Sequence, residues 1–538
     1  MSGIYAPFIL NNLSRVLTQI DRDPHSQTYG CCDRNFWHLK IRDFSSAILQ
    51  QAGLSAMLLY QVSFEGNPCY NNDNVKEWAK ATLYYWAQIQ LSDGSFNEYY
   101  PNEHGFPPTA FSLFSACSLY KRLGLNDSFL KQKIKKTADF LANNIETQAL
   151  NQETASILAV YCASEILNDK KLLGGCKNKL SRLLKVQSKE GWFAEYGGAD
   201  LGYLSVTLDM MAEYYCWSKD QSVIEPINKM IDFIQYFVHP DGTVGGEYGS
   251  RNTTYFLPNG LEVAAGWGNK IASDLKRLLF FKSNTSLYFM DSTDDRYFSH
   301  YLLHSFLRAI EREGDIQQPP TASVSSADYK LSTKYFSESR LLSYSNDVYS
   351  AFVGLGKGGV IKVFCNGKET YINCGYRVPI EKGKSATTNW QDASYQVKYD
   401  EGMAKVSGTM NRVSLKTPSP ILHLGLRISA TLFGKSIIGF LKKILIFKTK
   451  NTDIKFSREI KLEENRIILK DTIESAKPIT LERANNMSLR HVASGKFFMM
   501  SDLLAKSGVV AKDVMGVAIR INIDVGDCTV EEYIEVYE

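Results

Sequence analysis

The sequence predicts an α+β multidomain protein in which a helical domain is followed by an antiparallel β-sandwich domain. Two observations support this: the spacing of apolar residues changes along the chain, and 538 residues are too many for one ordinary core. A polar segment with Pro and Ser, "GDIQQPPTASVSSADYK", lies where the spacing changes. We therefore predict a helical domain over residues 1–315, a linker over 316–339 and a β-sandwich over 340–538.

The first half of the chain has helical periodicity. Segments such as "NVKEWAKATLYYWAQIQL" and "ETASILAVYCASEIL" place apolar residues three and four positions apart. Polar segments rich in Gly, Asn and Asp separate them, and Asn74 and Asn151 stand where N-caps are expected. These features predict a series of amphipathic or buried helices.

The second half has the two-residue alternation of strands. "VYSAFVGLG", "VIKVFCNG" and "SYQVKYDEG" are short, rich in β-branched and aromatic residues, and separated by turn residues. Many short strands in series are typical of an antiparallel sandwich.

Composition and missing motifs exclude several classes of function. A net charge of +4 is small for this length and argues against nucleic acid as a partner. The ten cysteines include no CxxC pair, and most lie in apolar runs, so we expect reduced core residues. His300 and His304 share a helix face without the HExxH pattern, and no dinucleotide fingerprint occurs, so we expect no metal and no cofactor.

The N-terminus and the apolar runs predict the location. Residues 1–23 lack a basic start, an apolar stretch and a small-residue cleavage site, and no window has 18 uninterrupted apolar residues. We therefore predict no membrane span and a cytoplasmic protein. The pattern makes no prediction about oligomeric state.

One motif recurs in the helical half. "DGSFNEYY" begins at Asp93, "EGWFAEYGG" at Glu190 and "DGTVGGEYGS" at Asp241, each joining an acid, a glycine and a Glu-Tyr pair. Units of about 50 residues hold two helices, which either stack into a solenoid or close into a ring. In a ring the three loops share one rim. The alternative is that they are only stable turns, with Gly as the C-cap.

Three segments carry a family resemblance. "PNEHGF", "GYLSVTLDMMAEYY" and "GGEYGSRNTTYF" resemble segments of the heparinase II/III-like group of polysaccharide lyases. The resemblance implies an incomplete α/α toroid, an antiparallel β-sandwich and a substrate cleft between them. It maps the family's catalytic tyrosine to Tyr203 and its β-domain histidine to His491. Here Glu103 stands between Asn102 and His104, where the family has Asn-His-Gly.

The chemistry of uronate β-elimination assigns roles to these residues. The substrate carboxylate must be neutralised, a base must remove the C5 proton, and an acid must protonate the leaving oxygen. Our hypothesis gives Tyr203 the base and acid role, with a pKa lowered by a nearby cation. His104 is the partner base, and Asn102 and Arg251 neutralise the carboxylate. The alternatives are a core position for Tyr203, a solvated His104 and an Arg251–Glu247 ion pair.

Further residues are candidates for substrate binding. Those on the repeated loops are Tyr99, Glu103, Glu195, Tyr196, Glu247, Tyr248 and Asn252. A second dense segment, "CCDRNFWHLKIRDF", offers Trp37 to stack on a sugar, and Arg34 and His38 to contact an anionic group. The alternative for this segment is a first helix whose charges pair with neighbours.

Four functions remain open at this point. The first is a lyase acting on an acidic oligo- or polysaccharide, in surface-polysaccharide metabolism. The second is a uronate C5-epimerase, which uses the same proton abstraction. The third is a glycoside hydrolase with carboxylates chosen from Glu98, Glu195 and Glu247. The fourth is a non-catalytic glycan-binding scaffold in polymer assembly.

Overall fold

A computed structural model describes residues 4–280, 293–313, 332–414, 417–434, 436–437, 451–484, 498, 500–504 and 508–537. Within these ranges helices occupy the chain up to Glu313, and strands begin at Ser332. Strand β1 therefore lies inside the predicted linker. His491 lies outside the described residues. All ten cysteines are free, and all but Cys216 and Cys528 are buried, as the sequence predicts.

The helical part contains a ring of helix pairs. Its helices are α1 (Ala6–Leu17), α2 (Arg34–Trp37), α3 (Ala52–Gln61), α4 (Asp73–Gln88), α5 (Phe106–Arg122), α6 (Ser128–Ala142), α7 (Leu150–Leu167), α8 (Lys170–Lys185), α9 (Leu201–Ser218), α10 (Ile224–Ile234), α11 (Asn259–Gly266), α12 (Lys270–Phe280) and α13 (Leu303–Glu313). Helices α3, α5, α7, α9, α11 and α13 each contact the next, and α13 contacts α3. The described inner helices thus form a closed ring, not the incomplete toroid that the resemblance implies.

The inner and outer helices differ as their positions require. The inner helices α7 and α9 are buried on nearly every side, because they pack between neighbours in the ring. The outer helices α8, α10 and α12 bury one apolar stripe and expose a charged face. Apolar periodicity in the sequence therefore predicts the helices. Helices that are apolar on nearly every side belong to the inner layer, and helices with one apolar stripe belong to the outer layer.

The three repeated motifs form the same backbone turn. The N–H of Gly94 donates to Leu91, that of Gly191 to Ser188 and that of Gly242 to His239, at 2.9 to 3.0 Å. In each turn the residue that accepts this bond also donates its own N–H to the residue after the glycine. The glycines have φ of +85° to +103°, which residues with a Cβ avoid. The sequence repeat is therefore a structural repeat.

The described residues of the second half contain thirteen strands, which form two antiparallel sheets. The strands are β1 (Ser332–Phe336), β2 (Leu341–Ser345), β3 (Tyr349–Gly354), β4 (Val360–Cys365), β5 (Lys368–Asn373), β6 (Tyr376–Glu381), β7 (Lys384–Thr387), β8 (Gln396–Asp400), β9 (Met403–Ser414), β10 (Asn451–Leu462), β11 (Arg466–Arg483), β12 (Val509–Asp524) and β13 (Thr529–Tyr537). The smaller sheet has the order β1-β2-β3-β4-β5. The larger has the order β10-β9-β7-β6-β11-β12-β13, with β8 beside β9. A further helix, α14 (Pro420–Phe433), follows β9.

The larger sheet closes on itself, so the simple β-sandwich that the sequence predicts is not confirmed. Strand β10 pairs with both β9 and β11, which joins β9, β7, β6, β11 and β10 in a ring. Alternation along each strand predicts which residues face inward, but not the pairing of distant strands that closes a sheet.

The smaller sheet lies between the helical ring and the larger sheet. Phe352 and Phe364 on one face belong to the core of the helical part, while Val353 and Val363 belong to the core shared with the larger sheet. Side chains alternate across a strand, so one sheet can complete two cores. The two halves are therefore packed directly against each other.

Candidate active site

Each of the three repeated Glu-Tyr pairs meets a cation from elsewhere in the chain. Glu98 forms an ion pair with Arg296, and Glu247 forms one with Lys362 at 3.1 Å. Glu195 lies near Arg251, whose positive charge opposes the rise in the pKa of the carboxyl. In each copy of the repeat a buried carboxylate thus lies near a cation. The copies differ in the contacts that the cation makes.

The cation of the first copy has an ion-pair partner. The Arg296 guanidinium donates to Glu98 and lies 4.8 Å from the centre of the Tyr99 ring. Glu103 accepts the backbone N–H groups of Glu98 and Tyr99 at 2.6 and 2.7 Å. Burial, reinforced by the Glu98 charge, raises the pKa of Glu103 to about 8. The Glu103 carboxyl therefore braces the loop.

The third copy joins the helical ring to the smaller sheet. Lys362 of β4 bridges the buried carboxylates of Glu247 and Glu369, each at 3.1 Å. Tyr248 is fully buried, and its hydroxyl contacts His239 at 2.9 Å. Glu247 therefore pairs with Lys362 and not with Arg251. Neither Glu247 nor Tyr248 lies on an open surface.

The second copy holds a guanidinium with unused donors. Arg251 is 4% exposed, and its Nε and Nη1 atoms have no hydrogen-bond partner within the described ranges. Its guanidinium carbon lies 4.0 Å from the centre of the Tyr196 ring and 5.9 Å from that of Tyr203. A buried charge with unsatisfied donors is costly unless an anion binds it. Arg251 is therefore a candidate site for an anion.

Asp200 fixes Arg251 and Tyr203 beside each other. It is the N-cap of α9 and accepts the backbone N–H groups of Tyr203 at 3.2 Å and Arg251 at 2.9 Å. The hydroxyl of Thr253 also donates to it. One buried carboxylate thus ties the start of α9 to the rim segment after the third repeat, although about 50 residues separate them.

Glu195 is a buried carboxyl that interacts electrostatically with this arginine. Burial raises its pKa to about 8, although the charge of Arg251 acts in the opposite direction. Asn151 donates to Oε2, whereas Oε1 has no partner among the residues described. Asn151 lies inside α7 and not at the cap position that the sequence suggests. Glu195 can therefore gain or lose a proton near neutral pH.

Tyr203 lies among other tyrosines at the start of α9. Its ring is half-buried, and its hydroxyl makes no hydrogen bond to the described part of the chain. Burial, together with Tyr297 and Tyr301, raises the pKa of Tyr203 well above its ordinary value, and Arg251 only opposes this rise. The net direction is opposite to the lowered pKa that the sequence hypothesis requires. Tyr203 is a neutral phenol in the absence of ligand.

Asn102 and His104 lie in a separate group at the edge of the first loop. His104 Nδ1 contacts Asp93 at 2.8 Å and Ser95 at 2.9 Å, and the Asn102 amide donates to Thr431 of α14 at 3.1 Å. As far as the structure describes the chain, neither side chain has a hydrogen bond, ion pair or ring contact with Tyr203 or Arg251. The four predicted catalytic residues are thus divided between two places.

The contacts described for the remaining predicted residues are with residues other than Arg251. Trp37 donates its indole N–H to the carbonyl of Gln19, and its ring lies 5.0 Å from that of His38. Arg34 is the first residue of α2. Asn252 is fully buried, and Lys357 from the loop before β4 donates to its side chain. These residues hold local structure together, and only Asn252 adjoins the arginine.

Sequence reasoning did not find Asp200, Arg296 or the tyrosines that surround Tyr203. Tyr301 donates to the Tyr255 hydroxyl at 2.7 Å, and the Tyr203 and Tyr255 ring centres are 6.1 Å apart. Tyr301 lies in a π-helical turn, Phe298–Leu302, a feature common at functional sites. Acidic residues before a helix are ordinary caps, so no sequence signal distinguishes Asp200.

The described ranges contain no cluster of three metal-ligating side chains, and none of their helices is long and apolar enough to cross a membrane. A sequence model of the ulvan lyase N-terminal domain matches residues 69–258, from just before α4 to the residue before α11. That segment contains Glu195, Tyr203 and Arg251. No curated protein matches the sequence.

A solved lyase structure supports the fold, and two structures with lower TM-scores are given beside it. A variant of the chondroitin AC lyase of Streptomyces coelicolor A3 aligns with a TM-score of 0.50 at 9% identity, over 99% of this chain and 80% of that chain. A family 88 glycosyl hydrolase from Bacteroides vulgatus aligns at 0.38 and 11%, over 58% and 99%. A GH127 β-L-arabinofuranosidase from Geobacillus stearothermophilus T6 aligns at 0.34 and 11%, over 100% and 98%. The chain has a polysaccharide lyase-like fold, and the heparinase II/III-like group in particular is not confirmed.

Proposed function

We propose that the protein is a polysaccharide lyase-like enzyme that cleaves an acidic glycan by β-elimination next to a uronate. The observation that carries this is the buried Arg251 guanidinium, whose Nε and Nη1 have no hydrogen-bond partner within the described ranges, beside the half-buried ring of Tyr203. Guanidinium groups bind carboxylates through two parallel hydrogen bonds. The match to the ulvan lyase N-terminal domain, which includes both residues, supports the same class.

The proposed step uses three side chains. Arg251 binds the uronate carboxylate and stabilises the negative charge that develops next to it. Glu195, when ionised, takes the C5 proton, and the electron pair of that C–H bond forms the C4–C5 double bond. The C4–O4 bond breaks, its electron pair passes to O4, and Tyr203 donates the proton that O4 needs. The neutral phenol of Tyr203 suits this acid role.

Glu195 replaces His104 as the base in this proposal. The oxygen Oε1 of Glu195 has no partner among the described residues, and its carboxyl interacts electrostatically with Arg251. His104 instead directs Nδ1 to Asp93 on the edge of another loop. The same three residues also serve a C5-epimerase, in which the proton returns to the opposite face of C5.

One observation favours the hydrolase alternative. The pKa of Glu195, raised to about 8 by burial, leaves its carboxyl protonated at neutral pH, as a glycosidase general acid must be. That reaction also needs a second carboxylate across the cleft. The unused donors of Arg251 favour an anionic substrate and hence the lyase.

A product assay separates these functions. The purified chain is incubated with ulvan, chondroitin and other uronate-containing glycans, while the ultraviolet absorbance of an unsaturated uronate is followed. Increasing absorbance supports the lyase, deuterium at C5 from heavy water without absorbance indicates the epimerase, and new reducing ends alone indicate the hydrolase. If no product forms and wild type and Arg251→Met bind the glycans equally, the proposal is wrong. The cytoplasmic location stays a prediction, which cell fractionation tests.

A further inference from the structure

Helix α14 turns its apolar side chains toward solvent. Six of them, which we call the α14 apolar face, are between 53% and 83% exposed: Ile421, Leu422, Leu424, Ile428, Leu432 and Phe433. Only Ala430 of this helix is buried. Surface helices of globular proteins normally bury their apolar stripe, so the orientation of α14 is inverted.

Polar contacts hold this inverted helix in place. The Arg427 guanidinium forms two hydrogen bonds with Asp43, and Thr431, one turn further along, accepts from Asn102. Gly434, directly after the helix, lies against the His104 ring. The side of α14 that touches the helical ring is thus its polar side. The helix is anchored there while its apolar face is exposed to solvent.

A second exposed apolar segment lies next to the anchor. Leu39 and Ile41 are 52% and 72% exposed and stand a few residues before Asp43, the partner of Arg427. Lys40, between them, is exposed. Isolated exposed apolar residues are common on proteins, but clusters on adjacent segments mark interaction sites.

The sequence that forms and follows α14 is basic: residues 420–450 contain six Lys and Arg and no Asp or Glu. Among the described residues, Arg427 is paired with Asp43 and Arg42 with Asp33, whereas Lys40 is exposed between Leu39 and Ile41. Apolar side chains beside an exposed cation and a basic sequence match a surface that is apolar inside and anionic outside. The 14 residues of α14 span only about 21 Å as a helix, less than the apolar thickness of a bilayer.

We propose that the α14 apolar face, together with Leu39 and Ile41, docks on an anionic lipid membrane. The helix lies in the plane of the headgroups, its apolar side chains enter the acyl boundary, and the exposed Lys40 meets anionic lipids. A second copy of the chain fits less well, because a two-fold contact would bring two basic surfaces together. The docked surface adjoins Asn102 and His104 at the ring edge.

Vesicle sedimentation with the full chain tests this. We expect the protein to sediment with vesicles that contain phosphatidylglycerol, and about tenfold less with phosphatidylcholine alone or at high salt. The double variant Leu424→Ser/Ile428→Ser is expected to lose at least about tenfold in binding. Val536→Ser, which changes a half-exposed apolar residue of β13, is the matched control and is expected to bind like wild type.

The other outcomes overturn the proposal. If wild type is a dimer that the double variant dissociates, and vesicles are not bound, a second copy covers the face. If wild type is monomeric and binds no vesicles, or binds both lipids equally, an anionic membrane is not its partner. The substituted residues are exposed, so an unchanged circular dichroism spectrum and melting temperature are expected. The measurement uses no glycan, so its result is independent of the proposed activity.

Discussion

The Arg251 guanidinium carbon lies 4.0 Å from the centre of the Tyr196 ring, yet two of its nitrogen atoms have no hydrogen-bond partner within the described ranges. The equivalent pair in the first repeat, Arg296 over Tyr99 at 4.8 Å, also has an ion pair with Glu98. The guanidinium over the tyrosine ring thus has an ion-pair partner in the first copy, whereas in the second copy two of its nitrogen atoms have no described partner. We infer that the second copy binds ligand, and the following predictions test that inference.

Substitution of Arg251 should abolish catalysis on an acidic glycan. We expect Arg251→Met to lower kcat/KM by at least about 10²-fold, because losing one partner of a buried charge-assisted pair costs about 3 kcal/mol or more. Arg251→Lys should recover little, since lysine lacks the two-pronged geometry. Arg122→Lys, at the partly exposed ion pair with Glu311, is the control. Activity of Arg251→Met close to wild type would remove the arginine from the mechanism.

The hydroxyl of Tyr203 should be needed for turnover more than for binding. Tyr203→Phe keeps the ring, so we expect similar substrate affinity and a kcat lower by about 10²- to 10⁴-fold. Tyr215→Phe changes a tyrosine of the same helix and should leave kcat unchanged. Equal kcat in wild type and Tyr203→Phe would exclude Tyr203 as the acid.

Both the activity and the stability of the protein should depend on pH through the Glu195 carboxyl. Burial raises its pKa from 4.5 to about 8, so the folded state holds this proton more tightly than the unfolded state. Its contribution to the free energy of unfolding is therefore complete below about pH 4 and is lost as the pH rises through about 8. If ionised Glu195 is the base, kcat/KM should rise over the same range.

Glu195→Gln isolates this effect. We expect the variant to lose activity, and its free energy of unfolding to fall less than that of wild type between pH 5 and pH 8, as measured by urea titration. Parallel stability curves for the two proteins would show that Glu195 titrates normally.

The Asp200 carboxylate should act as a positioning group. Asp200→Asn removes one of two carboxylate oxygens that accept backbone N–H groups from Tyr203, Arg251 and Thr253. We expect a loss of about 1–3 kcal/mol in unfolding free energy, and a lower kcat. Asp127→Asn changes the solvated cap of α6 and should affect stability alone. A change in KM without a change in kcat would contradict the positioning role.

The glycine of the repeated turn should not tolerate replacement by a residue with a Cβ. A Cβ on Gly191 would stand 2.2 Å from the Lys229 carbonyl oxygen, and the φ of this glycine is +103°. Gly191→Ala should therefore lower the free energy of unfolding by more than about 2 kcal/mol. Gly174→Ala in α8, where a Cβ meets nothing within 4 Å, should be neutral or stabilising. Equal melting temperatures for both variants would contradict the packed turn.

Local periodicity predicted much of this fold. Apolar spacing in "NVKEWAKATLYYWAQIQL" corresponds to α4, and alternation in "VIKVFCNG" corresponds to β4. Both patterns depend only on neighbours along the chain. The closed sheet was missed because β9 pairs with β10, and β6 with β11, across long stretches of chain, and no local pattern encodes that choice.

The sequence by itself determined the helices, the alternating strands and the repeated acid–Gly…Glu-Tyr loops, because each depends on residues close in the chain. It also proposed Tyr203 and Arg251 as catalytic residues, but not which repeat holds a cation with unpaired donors among the described residues. Tertiary structure decided that: Lys362 and Arg296 neutralise two of the glutamates, and Asp200 places Arg251 beside Tyr203. Whether a buried charge has a partner depends on which distant side chains reach it, and only the folded chain specifies that.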